Sequence, residues 1–372
     1  MKLSLLLGMM ITTGSLLAAD YDVYVGTYTK GDSRGIYRVK LDGATGKLSP
    51  KALSATTTNP SFLALHPSGK YLYSVNETGP AGKVSAFSIS EDSGALTFLN
   101  DASAQGDGTC HLTVDKTGRH VLAANYGGGS IAVFPVLSDG RLKEASDFVQ
   151  HSGSGPDAGR QKGPHAHGIY VDEANRFVYV PDLGLDKVMI YKLNASNGKL
   201  TPSDPAFGST APGAGPRHFV MHPKSDFAYV ITEMTCNVTA YTRDSKGGGL
   251  TEIQTISTLP EGTKVERGFS TAELEAHPSG KFLYGSNRGH NTIVVYTIDP
   301  KSGQLTLAQH ISSGGKNPRA FSISPDGRWL IAANQDSANL VVFKIDQKTG
   351  KLSETGNTTE VPFPVSLVYR KK

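Results

Sequence analysis

Short apolar segments that end in a polar pair return along the chain at nearly regular intervals. They read Tyr24-Val25-Gly26-Thr27-Tyr28, Tyr73-Ser74-Val75-Asn76-Glu77, Leu122-Ala123-Ala124-Asn125-Tyr126, Tyr179-Val180-Pro181-Asp182-Leu183, Tyr229-Val230-Ile231-Thr232-Glu233, Tyr284-Gly285-Ser286-Asn287-Arg288 and Ile331-Ala332-Ala333-Asn334-Gln335. With Thr27, Asn76, Asn125, Asp182, Thr232, Asn287 and Asn334 aligned, the steps are 49, 49, 57, 50, 55 and 47 residues, close to the period of a four-stranded propeller blade. Every copy but the first follows a turn such as His66-Pro67-Ser68-Gly69-Lys70 or Ser324-Pro325-Asp326-Gly327-Arg328, whose Pro and Gly suit a tight hairpin. After each copy comes a strand such as Ile131–Val136 or Ile293–Ile298. A second turn follows, Thr45-Gly46-Lys47-Leu48 or Thr349-Gly350-Lys351-Leu352, and leads into a fourth strand.

The two chain ends complete one another. The N-terminal unit lacks a first strand, whereas Pro364-Val365-Ser366-Leu367-Val368-Tyr369 matches one, as in Pro60-Ser61-Phe62-Leu63-Ala64-Leu65. Pairing the last strand with the first blade closes the ring and removes open edges. The expected fold is all-β, a seven-bladed β-propeller; a linear β solenoid leaves the terminal match unexplained.

Composition narrows the reading further. Of 372 residues 42 are Gly and 20 are Pro, about one in six, which excludes a long-helix or coiled-coil protein. The formal net charge of +4 is spread over scattered Lys and Arg, so no basic stripe points to nucleic acid. Two cysteines cannot build a disulfide framework and have no metal-ligand spacing. Met1-Lys2, the apolar run Leu3–Leu17 and Ala18-Ala19-Asp20 have the plan of a secretory signal peptide over residues 1–19. A mature domain of residues 20–372 is expected in the periplasm or medium, as a monomer, with no membrane insertion after cleavage. No later segment has the length of apolar chain a spanning helix needs.

The repeat also locates candidate chemistry. In a propeller the inner strands line the channel, and their starts share a face with the ends of the second strands. The inner-strand starts are Ser61, Cys110, His167, Arg217, Ala272, Arg319 and Val365; the second-strand ends are Tyr28, Glu77, Tyr126, Leu183, Glu233, Arg288 and Gln335. Burying charge is unfavourable by several kcal/mol unless it is paired or wetted, so Arg, His and Glu converging on one mouth point to an anionic ligand. Two longer connections, 144–163 and 253–268, bring Arg160, Lys162 and Arg267 towards the same face. Other signals are weaker. His165-Ala166-His167 offers two imidazoles on one strand face but no third metal ligand. Gly127-Gly128-Gly129 lacks the strand-to-helix context of a nucleotide loop.

Gly163-Pro164-His165-Ala166-His167, Pro181-Asp182-Leu183-Gly184, Gly215-Pro216-Arg217-His218, Ser286-Asn287-Arg288-Gly289-His290, Asn317-Pro318-Arg319 and Asn125-Tyr126-Gly127-Gly128-Gly129-Ser130 resemble the propeller-type lactonase family. That family includes bacterial 6-phosphogluconolactonases and fungal 3-carboxy-cis,cis-muconate lactonizing enzymes. The resemblance spans essentially the whole mature chain. It implies action on a small anionic lactone without metal or cofactor, with catalytic residues at His167 (or His165), Arg217, Glu233 and Arg288, positions the ring alignment reaches by repeat position. His165, Asp182, His218, His290, Arg319 and Gln335 are expected to bind substrate. Opening a lactone needs an activated water, a stabilised oxyanion and a proton for the leaving oxygen. Either Glu233 or His167 serves as base and the other as acid, while the arginines hold the anions. A muconate-type cycloisomerase and a non-enzymatic binding propeller are the alternatives.

Overall fold

The computed structural model describes residues 19–372; apart from Ala19, the expected signal peptide lies outside them. The described chain forms 28 strands in seven four-stranded antiparallel sheets arranged as blades. Blade 1 is built as expected from both ends of the chain. Pro364–Lys371 is its inner strand and pairs with Tyr21–Thr27 from Tyr21↔Lys371 to Val25↔Leu367. Blades 2 to 7 then follow in chain order, each running from the channel outwards.

Sheets packed on both faces account for the hydrophobic pattern. Second strands such as His120–Asn125 and Trp329–Asn334 are buried at every position, because neighbouring blades cover both of their faces. Outermost strands such as Leu96–Ser103 are half-exposed. Each blade interface is a separate apolar cluster; between blades 2 and 3, Tyr73, Val75, Val84 and Ala86 meet Leu112, Val121, Ala123 and Phe134.

The repeated aromatic and Asn positions are structural. Where the repeated segment opens on Tyr, in the middle of a second strand, that Tyr donates its hydroxyl to a turn carbonyl of the next blade: Tyr24 to Gly94, Tyr73 to Gly140, Tyr179 to Gly248, Tyr229 to Gly303 and Tyr284 to Gly350. Trp329 Nε1 closes the ring in the same way, 3.0 Å from the Gly43 carbonyl of blade 1. The recurring Asn donates to the connection arriving from the previous blade, as Asn76 does to Thr58 O, Asn125 to Ala104 O and Asn334 to Ser313 O. Trp329→Phe keeps most of the ring volume but strands that carbonyl, so a loss of about 1–3 kcal/mol is expected. Urea unfolding checks it; an unchanged midpoint would show that the closing bond contributes nothing.

One feature of the inner strands decides the site. Their ladders slip at the channel mouth, between Thr109 and His111, Pro216 and His218, Thr271 and Leu274, and Pro318 and Ala320. Cys110, Arg217, Ala272 and Arg319 therefore lie in β-bulges, which re-aim side chains. Gly215 (φ 65°) and Asn317 (φ 58°) precede two of them in the left-handed region, which accounts for Gly and Asn opening the Pro-Arg motifs. In blade 4 the regular ladder from His167 that the alignment predicts is absent. Only Tyr170–Val171 pairs as a strand, Ala166 forms an isolated bridge to Asp182, and the His167 amide donates to Pro181 O.

Candidate active site

The bulges bring both predicted rings together at one mouth of the channel. Glu233 ends the second strand of blade 5, and three arginines from three different segments meet its carboxylate. Arg217 Nε lies 3.1 Å and Arg288 Nη2 2.9 Å from Oε2, while Arg160 Nη2 lies 2.7 Å from Oε1. Arg160 also donates to the Tyr126 hydroxyl, so the long connection before blade 4 does form a wall. A second group stands across the channel: Arg319 Nη2 donates to the Tyr28 hydroxyl, which donates to Glu77. The third is aromatic, with the Tyr126 ring stacked on His165 at 4.6 Å and edge-on to His167 at 5.3 Å.

Charge is unbalanced here. Arg160, Arg217, Arg288 and Arg319 face Glu233 and Glu77, so four guanidiniums against two carboxylates leave two positive charges at the mouth. Burial pushes the Glu233 carboxyl up, but Arg288, Arg217 and Arg160 outweigh it and hold it at about 2. Burial, then Arg217, keeps the His167 imidazole well below its usual range, so it is neutral at neutral pH. His167 is 5% exposed, and its Nδ1 has no hydrogen-bond partner among the described residues. A buried polar atom left without a partner is unfavourable and suits a site that a water or substrate completes. Arg217 spends Nε on Glu233 and Nη1 on His218 Nε2 and Ala272 O, which leaves Nη2 unengaged among the described residues.

The remaining expected positions divide. His165 stands at the mouth, its Nδ1 held by Tyr126 O, and Arg319 lies on the same ring. Gln335 is bonded to Asp336, and His290 is on the rim, bonded to Thr292 and edge-on to Phe269. Asp182 is fully buried beneath the loop. One oxygen takes His151 Nδ1 at 2.6 Å, and the other accepts the amides of His165 and Gly184, so it shapes the His165–His167 segment and has no oxygen free for a ligand. His218 is buried beneath the mouth, its ring edge-on to His167 at 5.4 Å and its nitrogens engaged between Arg217 and Glu273. The Cys110 thiol packs against the carbonyls of Ala166 and His167, and burial pushes it up, out of the thiolate range. Among the described residues no group of three or more His, Cys, Asp or Glu is placed to hold a metal. The alignment reached Tyr126 and Glu77 by repeat position, but no spacing announced Glu273 or His151.

A closed seven-bladed ring is the fold of the propeller lactonases. The chain belongs to that family: the model for the seven-bladed β-propeller lactonases matches residues 22–369. It is similar to a 6-phosphogluconolactonase of Bacillus subtilis, 39% identical over 94% of this chain and 98% of the relative. A 6-phosphogluconolactonase of Formosa agariphila is 34% identical over 81% and 86%. Among solved structures, the periplasmic gluconolactonase of Pseudomonas aeruginosa superposes with a TM-score of 0.89 at 32% identity, covering 94% of this chain and 99% of that one. The chain is thus a lactonase of the propeller class.

Proposed function

We propose that the protein hydrolyses a sugar or organic-acid lactone bearing a further anionic group, without a metal, and that it does so outside the cytoplasm. The observation that carries the substrate class is the excess of two guanidinium charges beside neutral His167. Arginine forks bind carboxylate and phosphate oxygens bidentately. The relatives named 6-phosphogluconolactonase support a phosphorylated lactone. The signal-like N-terminus and the periplasmic gluconolactonase support export and an unphosphorylated one.

The geometry suits the following sequence. His167 takes a proton from water as that water attacks the lactone carbonyl carbon. Arg217 Nη2 and Arg288 stabilise the oxygen that gains the negative charge. When the ring C–O bond breaks, the protonated His167 returns its proton to the departing alkoxide, and the hydroxy acid is released. Glu233, already ionised and shared among three arginines, is a poor base; its part is to hold the guanidiniums apart and oriented. Binding of an anionic group competes Arg160 away from Glu233, since Arg160 comes from a loop and is half-exposed.

The test is pH-stat hydrolysis of glucono-, 6-phosphoglucono- and galactono-lactone by protein starting at Asp20. Arg160→Ala is expected to raise KM about 10- to 100-fold for the phosphorylated lactone, the equivalent of the ~1.5–3 kcal/mol of a charged hydrogen bond, while leaving neutral gluconolactone nearly unchanged. Equal effects on both would remove Arg160 from anion recognition. No hydrolysis of any lactone beyond the spontaneous rate would overturn the reading and favour muconate-type lactonisation or binding alone. A single species of monomer mass in solution is also expected, because Pro364–Lys371 covers the edge of Tyr21–Thr27 and leaves no incomplete blade to recruit a second chain.

A further inference from the structure

Beneath Arg217 lies a buried polar chain that the proposed reaction does not use. Arg217 Nη1 stands 3.0 Å from His218 Nε2, and His218 Nδ1 stands 2.7 Å from Glu273 Oε1, which also accepts the Leu274 amide. A guanidinium can only donate, so Nε2 of His218 must accept and its single proton must sit on Nδ1, donated to Glu273. The tautomer is set by its neighbours. His218 and Glu273 come from the inner strands of adjacent blades 5 and 6, so the chain ties the two walls of the channel at the level where Arg217 turns towards the mouth.

The far end of this chain is reached from the other side of the disk. A cavity of about 460 Å3 opens there into the channel, and Glu273 forms part of its wall together with Glu275, His111 and Tyr170. His111 lies against His218 with ring centres 5.3 Å apart, and His218 lies 5.4 Å from His167, so a run of rings stands between cavity and mouth. We infer that Glu273 and His218 are positioning residues that set Arg217 from the opposite face of the propeller, a proposal that rests on the role of Arg217 given above. Holding Nη1 from below leaves Nη2 free for a substrate oxygen.

The pair is sensitive to pH. Burial raises the Glu273 carboxyl to about 7, against the lowering effect of Arg217 and Arg319. The titratable groups around it are His218, His111, Tyr170 and, on its own strand, Glu275, which burial raises to about 8. Both histidines are held neutral by burial, and Tyr170 is pushed far above its usual range. An ionised Glu273 draws the Nδ1 proton of His218 and makes Nε2 a better acceptor for Arg217; a neutral one slackens both bonds. Arg217 is thus expected to be held best above pH ~7.

The experiment is a mutant cycle read on kcat/KM across pH. Glu273→Gln is expected to lower kcat/KM about 10- to 100-fold, the range seen when groups behind a first contact are removed, and to flatten the profile near pH 7. In an Arg217→Ala background the same change is expected to alter it less than about twofold, since groups that act through one another are not additive. His218→Gln, which keeps an acceptor and a donor on one side chain, is expected to recover part of the loss seen in His218→Ala. Equal loss in both backgrounds would overturn the proposal. A readout without substrate separates it from the lactonase reading: the 15N shifts of His218 are expected to report the Nδ1–H tautomer and to step near pH 7 in wild type but not in Glu273→Gln. An Nε2–H tautomer, or a step that survives Glu273→Gln, would also overturn it.

Discussion

His167→Asn is expected to lower kcat by about 10²- to 10⁴-fold, the range of a lost general base, and to change KM little. The imidazole is set up for this role by its surroundings. It is buried, beside Arg217 and Tyr126, and its Nδ1 lacks a partner among the described residues. Burial and the nearby guanidinium favour the neutral ring, so the basic form persists below the pH at which an exposed histidine is protonated. Because its pKa is lowered, the need for neutral His167 adds no loss of activity as pH falls through 6.5; in Glu273→Gln, which lacks the step near pH 7, kcat is expected to stay level there and to decline only in stronger acid. A pH–kcat profile on gluconolactone, whose spontaneous opening is subtracted, reads both effects. Full turnover in His167→Asn would move the base to another group, His165 being next in line at the same mouth.

Glu233→Gln is expected to act on stability and turnover together. It removes the carboxylate that Arg160, Arg217 and Arg288 share, and stripping one partner from a buried ion group destabilises by about 3–5 kcal/mol. The amide retains one acceptor, so the three guanidiniums compete for it and spread apart; kcat/KM is expected to drop on the order of 10²-fold, as when an oxyanion donor is lost. The sign with pH follows from the lowered carboxyl. Glu233 sits at about 2 in the fold against 4.5 as its ordinary value, so its stabilisation is complete above about 4.5 and is lost as pH falls towards 2. Wild type and Glu233→Gln are therefore expected to differ most at neutral pH and to converge in acid. Thermal melts at pH 7 and pH 3 check this; a constant gap would mean that the carboxylate's charge is not what the arginines need.

The architecture was legible because each part of it is local. A blade is one supersecondary unit, so Tyr73-Ser74-Val75-Asn76-Glu77 and its six counterparts had to recur in step with it, and the matching strand at Pro364–Tyr369 had nowhere to pair but Tyr21–Thr27. Repeat position also sufficed to place His167, Arg217, Glu233 and Arg288 on one face. Asp182 and His218 were harder. Both sit in motifs beside ring residues, yet Asp182 turns under the loop to His151 and His218 turns down to Glu273, directions that no spacing encodes.

Blade count, closure of the ring by the chain ends and membership of the charged mouth were thus determined by the sequence alone, since strand length, turn residues and period are properties of neighbours along the chain. Only the tertiary structure decided which carboxylate Arg160 meets from 73 residues away, that β-bulges swing Arg217 and Arg319 at the mouth, and that Glu273 supports Arg217 from the far side. These depend on register between different strands and on burial. A one-residue slip reverses a side chain's direction, and removal of water decides which ionic form a group keeps.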